Sequence, residues 1–160
     1  MSAFMEIKGI DGQATDQGHK NWILIESMSS PIMRSIPSGA VDVQRTQGET
    51  TLGDVVVVRS LDKSSVKLQE ACAEGKFLKK VEIDFCNTVA SKEEPYLKYI
   101  LNDVIVTSYS FHGSASGSPL PSEQVTLNYG SVTWTYIILD PKTGDQKGQV
   151  SVDYDPGEGT

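Results

Sequence analysis

The feature that most constrains the fold is a set of short segments in which apolar and polar residues alternate. The segment 81–85 places two acidic residues between a valine, an isoleucine and a phenylalanine, which is the pattern of a strand with one buried face. Segments 125–129 and 132–138 alternate in opposite phases on the two sides of Gly130. A change of phase at an isolated glycine is typical of a β-bulge, so we expect one long bent strand there with its apolar side turned inward.

Further strands follow from composition. Residues 140–144 combine an early proline with a late glycine before the alternating segment 150–154, which predicts a hairpin formed by the last two strands. The valine run 55–58 does not alternate, so we expect it to be covered on both faces. Segment 96–101 fits a helical turn as well as a strand, and we interpret it as a strand. Other segments rich in β-branched or aromatic residues predict strands at 4–8, 22–28, 55–61 and 104–111.

One helix is expected beside these strands. The segment from Asp62 to Ser65 offers several N-capping side chains, and apolar residues recur at helical spacing from Val66 to Cys72. Gly75 is a natural C-terminal stop. These signals predict a helix from about Ser64 to Glu74.

Three segments are predicted to lack regular structure within a single domain that spans 1–160. Residues 35–53 form a polar segment that is long for a connection inside a compact domain, and loops of that length are usually functional or disordered. The composition of 112–121 indicates a flexible connection, and 155–160 a flexible acidic tail.

Charge and composition exclude several kinds of partner. The net charge of −7 repels phosphate backbones and anionic lipid, so we do not expect nucleic-acid binding. No stretch approaches the roughly 18 apolar residues of a membrane span, so we do not expect membrane insertion either. The N-terminal residues do not form a signal peptide, which predicts a cytoplasmic protein that leaves the cell only by a route without a cleaved signal. Cys72 and Cys86 lack metal-ligand spacing and are predicted to be free thiols.

Candidate catalytic residues do not form a recognisable constellation. His19 and His112 lie far apart in sequence with no nucleophile motif, and Ala115 stands where a nucleophile elbow needs serine. Glu82 and Asp84 are two residues apart, as paired carboxylates of a glycosidase could be, but such pairs are common on solvated strand faces. We therefore predict that the chain is not an enzyme and uses no cofactor or metal.

Several short motifs follow one another along nearly the whole chain. A short opening strand ends in the segment 9–12, and a long polar loop precedes a valine-rich strand. Asp62-Lys-Ser then leads into a helix that ends near Lys76, and Glu123-x-Val-x-Leu-x-Tyr129 comes after the flexible connection. This order resembles the Hcp (haemolysin co-regulated) family, the tube subunits of the type VI secretion system.

The resemblance implies a mainly β fold, a small β-barrel of two packed antiparallel sheets with one α-helix on the side. It also implies a homohexameric ring with a central pore, and rings that stack into a tube. In the family the tube is assembled inside a contractile sheath, is tipped by a trimeric spike protein, and is propelled out of the cell. Effector proteins can be carried in its lumen.

The resemblance also assigns two groups of residues. Ser27 and Ser29, on the second strand, would face the lumen and contact effector proteins. The loop 35–53 would reach toward the next ring. Its stacking residues are expected to be Val41, Asp42, Arg45 and Gln47.

An alternative interpretation is a monomeric β-barrel that binds a small apolar ligand in its interior. The long polar loop with a flanking helix argues against it, because a simple barrel needs neither. A phage tail tube subunit would share the assembly, and only the family motifs distinguish the two.

Overall fold

A computed structural model describes residues 1–39, 41–45, 48–117 and 120–158. The described residues form two helices and strands that range from three to 21 residues in length. The strands are β1 (Ser2–Ile7), β2 (Ile23–Ile25), β3 (Ser27–Ser29), β4 (Ile32–Arg34), β5 (Thr50–Leu52), β6 (Val55–Ser60), β7 (Phe77–Val89), β8 (Lys92–His112), β9 (Ser122–Asn128), β10 (Ser131–Leu139) and β11 (Gln146–Tyr154). The helices are α1 (Asp42–Arg45) and α2 (Ser65–Glu74), and Pro156–Glu158 form a single 3₁₀ turn.

Nine strands form one antiparallel sheet. Its order is β2-β1-β7-β8-β9-β6-β3, with β10 paired to β8 and β11 paired to β10. The two end strands, β2 and β3, are separated only by Glu26, whose backbone N–H donates to the Val58 carbonyl at 2.9 Å. The sheet therefore curls so that its two end strands, β2 and β3, come next to each other. These two strands do not pair, so the sheet is not a closed barrel. β4 and β5 form a separate two-stranded sheet.

The expected mainly β fold with one helix on its side is confirmed, but the two sheets are of very unequal size. The ambiguous segment 96–101 lies within β8 and is a strand, as predicted. Helix α2 runs over Ser65–Glu74, also as predicted. Its start is fixed by the Asp62 carboxylate, which accepts from the Ser64 N–H at 2.8 Å, and Gly75 ends it with a positive φ of 62°.

The predicted bulge at Gly130 is wrong in its geometry. Asn128 pairs with Ile105, and Ser131 with Asn102, so the register along β8 is unchanged across the glycine. Instead the chain breaks into β9 and β10, which lie end to end along one edge of β8. The break suits Gly130, because a Cβ atom there would approach the Asp103 Cβ to 3.2 Å.

The core lies inside the curled sheet and under α2. Val55, Val57, Val125 and Leu127 are fully buried, and α2 adds further apolar side chains. The prediction that the valine run is covered on both faces is wrong for the single chain. Every second residue of β6 is only half-buried, because one face of that strand looks away from the core.

The C-terminal hairpin is confirmed as β10 and β11, which pair along their full lengths. The expectation that its apolar side is turned inward is wrong beyond Trp134. Tyr136 is 53% exposed and Ile138 46% exposed, because β10 continues past the edge of the core. Every residue of β11 before Tyr154 is exposed.

Candidate functional site

The outer face of β3, β6, β9 and the C-terminal half of β8 carries no charged side chain in its two central rows. These eight exposed or half-buried residues, which we call the neutral face, are Ser27, Ser29, Val56, Val58, Ser108, Ser110, Gln124 and Thr126.

Strand register places these residues in two straight rows. In one row, Val58 pairs with Ser27 on one side and with Gln124 on the other. In the next, Val56 pairs in the same way with Ser29 and Thr126. Ser110 and Ser108 complete the rows on β8. Since directly paired residues share a face of a sheet, each row presents a continuous strip of hydroxyl, amide and small apolar groups.

The acidic groups nearest to the neutral face lie at its rims and are held there by hydrogen bonds. Asn128 donates its side-chain N–H to Asp54 at 2.8 Å, and the Ser60 hydroxyl donates to Glu26 at 2.6 Å. A chain with a net charge of −7 thus presents a broad uncharged surface bounded by acidic residues.

Both residues predicted to contact cargo, Ser27 and Ser29, lie on the neutral face and are exposed. The other six members were missed, because the pairing of β3 with β6 and β9 joins residues far apart in sequence. A partial signal was present in the segment 122–128, where buried residues alternate with Gln124, Thr126 and other uncharged polar residues.

The loop predicted to be irregular is a β-hairpin arm with a helical turn at its tip. Ile32 pairs with Leu52 and Arg34 with Thr50, and the Ser35 N–H donates to the Glu49 carbonyl at 2.9 Å. Because β4 and β5 pair only with each other, no strand pairing joins the arm to the main sheet among the described residues. We call the segment 31–53 the arm.

The predicted stacking residues lie near the tip of the arm as far as the structure describes it. Val41 is 67% exposed and immediately precedes α1, which begins at Asp42 and ends at Arg45. Gln47 lies outside the described residues. The tip therefore presents an apolar side chain beside an acidic and a basic residue.

A buried ionic network lies directly beneath the neutral face. Arg59, which is 1% exposed, bonds the Glu123 carboxylate through Nη1 and lies 2.6 Å from Asp62 through Nη2. Its Nε donates to the Leu24 carbonyl at 3.2 Å, and the Tyr109 hydroxyl donates to the second oxygen of Glu123. The two most distinctive motifs of the sequence, at 62–64 and 123–129, therefore meet at one guanidinium and join four strands to the start of α2.

A second buried cluster surrounds His19. Its Nδ1 lies 2.7 Å from the Asp16 carboxylate and its Nε2 lies 2.9 Å from Asp84. The ring stacks on Phe4 at 4.4 Å between centroids and meets the edge of Trp22 at 4.7 Å. An imidazole ring with a carboxylate at each nitrogen is stable as the imidazolium, so this cluster is an ion triplet that fastens the loop before β2 onto β7.

Two pKa values reflect these clusters. Burial alone would lower the pKa of His19, but hydrogen bonds to Asp84, Cys86 and Asp16 outweigh it and raise the pKa to about 10. Burial and the hydrogen bond to Glu123 raise the pKa of Tyr109 to about 12.

The carboxylate pair considered from sequence is structural. Asp84 is buried against His19, so the expectation of a solvated pair is wrong for it, and Glu82 lies 3.4 Å from the Lys98 ammonium. His112 is exposed at the far end of β8. Cys86 is buried, Cys72 is half-buried, and both are free thiols as predicted.

Comparison with known proteins identifies the class. The family model described as "Type VI secretion system effector, Hcp" matches residues 4–136. The "Major exported protein" of Pseudomonas aeruginosa is 28% identical over 142 residues, which cover 84% of this chain and 80% of the relative. The fold and the matched sequence thus define a protein of the type VI secretion system.

Solved structures agree over the full chain. A structure described as that of a type six secretion system protein has a TM-score of 0.89 and 25% identity, and the match covers 99% of this chain and 98% of the other. The crystal structure of Hcp1 from Salmonella typhimurium has a TM-score of 0.75 and 25% identity, covering 96% of this chain and 93% of the other. The chain belongs to the Hcp family, a family of secreted tube proteins.

Neither helix among the described residues is long and apolar enough to cross a membrane.

Proposed function

We propose that six copies of this chain form a ring whose pore is lined by the neutral face, and that the rings stack into the inner tube of a type VI secretion system. The observation that supports this most is the neutral face, two strand-spanning rows without a charge on an otherwise acidic chain. Effector proteins would travel in the lumen, with a contractile sheath around the tube and a trimeric spike at its end.

Sixfold repetition explains why an uncharged lining suits a conduit. Every side chain on the pore wall occurs six times per ring, so one carboxylate would create a ring of six charges and a strong local field. Such a field would bind some cargo tightly and repel the rest. Hydroxyl groups, a glutamine and two valines give weak contacts of both polar and apolar kinds, which permit binding and release.

The arm is suited to contact between rings. Its two strands pair only with each other, and its tip exposes Val41 close to Asp42 and Arg45. A hydrophobic centre flanked by both charges is a surface that a neighbouring ring can complement. Gln47 is proposed to belong to the same contact.

The chain acts structurally and without catalysis in this proposal. It is made in the cytoplasm and leaves through the apparatus of which it is a part, reaching the medium or a target cell. The name of its relative from Pseudomonas aeruginosa, "Major exported protein", supports export.

A monomeric barrel with an apolar ligand receives less support. The interior is occupied by the chain's own side chains, among them Met5, Ile23, Ile83 and Leu101, all 0% exposed. A surface depression of about 470 Å³ is lined by charged residues that include Glu6, Lys20 and Lys80.

The experiment that tests this function is the mass of the purified protein by light scattering, combined with negative-stain images of the same fraction. We expect annular particles with six times the 17.4 kDa mass of the chain. Deleting 41–47 should preserve the rings and shorten or abolish the tubes. Replacing the exposed Lys67 of α2 with alanine is the control and should change neither the rings nor the tubes. A monomer at high concentration would contradict the proposal.

A further inference from the structure

The side of the sheet that faces the core on β8 extends onto β10 and β11, where it lies beyond the edge of the core. One row pairs Tyr99 with Trp134 and then Trp134 with Val152, and the next pairs Tyr136 with Leu97 and Val150. Tyr99 and Trp134 pack against the core, whereas Tyr136, Val150 and Val152 are exposed. We call this surface the overhang and define it as Leu97, Tyr99, Trp134, Tyr136, Ile138, Val150 and Val152.

The overhang is strongly apolar. Tyr136, Val150 and Val152 are 53%, 62% and 54% exposed, and all seven of its residues are uncharged. The opposite side of β11 carries Lys147 and Asp153 at alternate positions. The opposite side of β10 is not uniformly polar, because Ile137 is buried there at 3% exposure. Contiguous exposed apolar patches usually mark interaction sites.

The size of the overhang fits an interface between proteins. β10 and β11 have nine residues each, so the hairpin is about 30 Å long, and with β8 it is about 14 Å across. A pleated surface of that extent supplies much of the roughly 800 Å² that each partner buries in a stable complex. The free edge of β11 lies at its outer margin.

The absence of charge on the overhang permits a second copy as the partner. Two copies with a net charge of −7 each repel one another, so they associate best through uncharged surfaces. The chain also offers a matching concave surface. A depression of about 240 Å³ lies next to β2, and its apolar lining is Leu24, Leu61 and Leu120. Its polar lining is Gln13, Ser60, Glu26, Arg59 and Asp62, in which Arg59 pairs with Asp62 and Ser60 donates to Glu26. In the sheet order, β1, β7 and β8 separate β2 from β10, so the protruding and the concave apolar surfaces lie at opposite ends of that order.

We propose that the overhang of one copy docks on the leucine-lined depression of the next copy. This inference rests on the proposed ring, because a head-to-tail contact of two different surfaces is what closes a cyclic assembly. It deepens that proposal by naming both halves of the interface.

The test uses charge substitutions on the two sides of one strand. Val150→Glu places a carboxylate on the overhang, and Gln149→Glu adds the same charge to the opposite side of β11 as the matched control. Both positions are exposed, so the circular dichroism spectra of both variants should match that of the wild type. We expect Val150→Glu to shift the mass from that of the ring to that of the monomer. We expect Gln149→Glu to keep the ring intact. Val150→Ala, which cannot endanger folding through charge, should weaken the ring at low protein concentration.

A mixing experiment tests the pairing of the two surfaces. Leu24→Glu should also give monomers, because it charges the depression. A mixture of Val150→Glu and Leu24→Glu should form one-to-one dimers, since each variant retains the half that the other has lost. Dimers in the mixture but not in either variant alone would support the proposal.

The outcomes separate this inference from the ring itself. A wild-type ring that persists in Val150→Glu would overturn the overhang interface and leave the ring standing. Intact rings in Leu24→Glu, or a mixture that stays monomeric, would overturn the pairing with the depression. A wild-type chain that remains monomeric would overturn both the ring and the interface.

Discussion

Two regions of one sheet carry opposite kinds of surface, and β8 runs through both. Its C-terminal half contributes Ser108 and Ser110 to the neutral face. Its N-terminal half carries Lys98, which lies 3.4 Å from Glu82 and 3.6 Å from Asp84 on β7. We call the outer surface of β7 and this half of β8 the ionic face. A single long strand thus passes from a charged surface to an uncharged one, with the change near Asp103.

The difference indicates that the two faces meet different surroundings in the assembly. Lys98 keeps contact with solvent on the ionic face, whereas Asp84 beside it is buried against His19. The neutral face has no charged group to keep in contact with solvent. It lies over the Arg59 network, which supports it rigidly. We therefore expect the neutral face in the pore of the proposed ring and the ionic face away from it.

The largest expected effect concerns the network beneath the neutral face. Arg59→Met leaves the buried Glu123 and the nearby Asp62 without their cation, which should cost about 3–5 kcal/mol in the free energy of unfolding. Lys76→Met, which removes an exposed pair with Glu70, should cost less than about 0.5 kcal/mol. Urea denaturation of the two variants measures the contrast. Equal losses would show that the network is not the support of this region.

Trp134→Ala tests the edge of the core, where the sheet passes into the overhang. The Trp134 indole packs against the core on one side and stacks on Tyr154 at 6.2 Å between ring centroids. Because it is only partly buried, we expect a loss of about 3 kcal/mol, the lower end for deletion of a core tryptophan. A thermal melt compared with the wild type measures it. An unchanged melting curve would place Trp134 outside the cooperative core.

The His19 cluster, which covers Asp84 on the ionic face, should make stability depend on pH. The pKa of His19 is about 10 in the folded chain and about 6.5 when unfolded, so its contribution is complete below pH 6.5 and is lost as pH rises toward 10. His19→Asn should therefore be most destabilising at pH 6, with a difference from the wild type that shrinks steadily at pH 8 and 9.5. Denaturation at the three pH values measures it. A difference that does not change with pH would contradict the imidazolium.

The smallest effect on the single chain is expected on the neutral face itself. Ser29→Glu changes an exposed serine and should alter the free energy of unfolding by less than about 0.5 kcal/mol. In the proposed ring it would create six facing carboxylates, so the ring should dissociate more readily at low salt and recover at high salt. Glu82→Gln on the ionic face serves as the control and should produce no salt dependence. Light scattering across a salt series would show whether the two faces behave alike.

Sequence reasoning could reach the local elements and not the pairing between distant strands. Helix α2 was readable because Asp62 and Gly75 mark its two ends within a short segment. Tyr136 and Ile138 were misplaced, since alternation shows which side of a strand is apolar and not where the core ends. The arm was read as an irregular loop because its two strands have only three residues each and pair across a long connection.

The same limit explains the candidate site. Ser27 and Ser29 entered through resemblance to a family, whereas Gln124, Thr126 and Ser108 join them only through register. The buried charges were hidden for a related reason. Nothing in the local sequence shows that Arg59 meets Glu123.

The central claim is that the neutral face lines the pore of a sixfold ring, and a cryo-electron microscopy reconstruction of the purified protein tests it most directly. The account predicts a ring in which Ser27, Ser29, Gln124 and Thr126 face the central channel and Lys98 faces away from it. A ring with Lys98 and Glu82 on the channel wall, and with Ser29 on the outer surface, would contradict it.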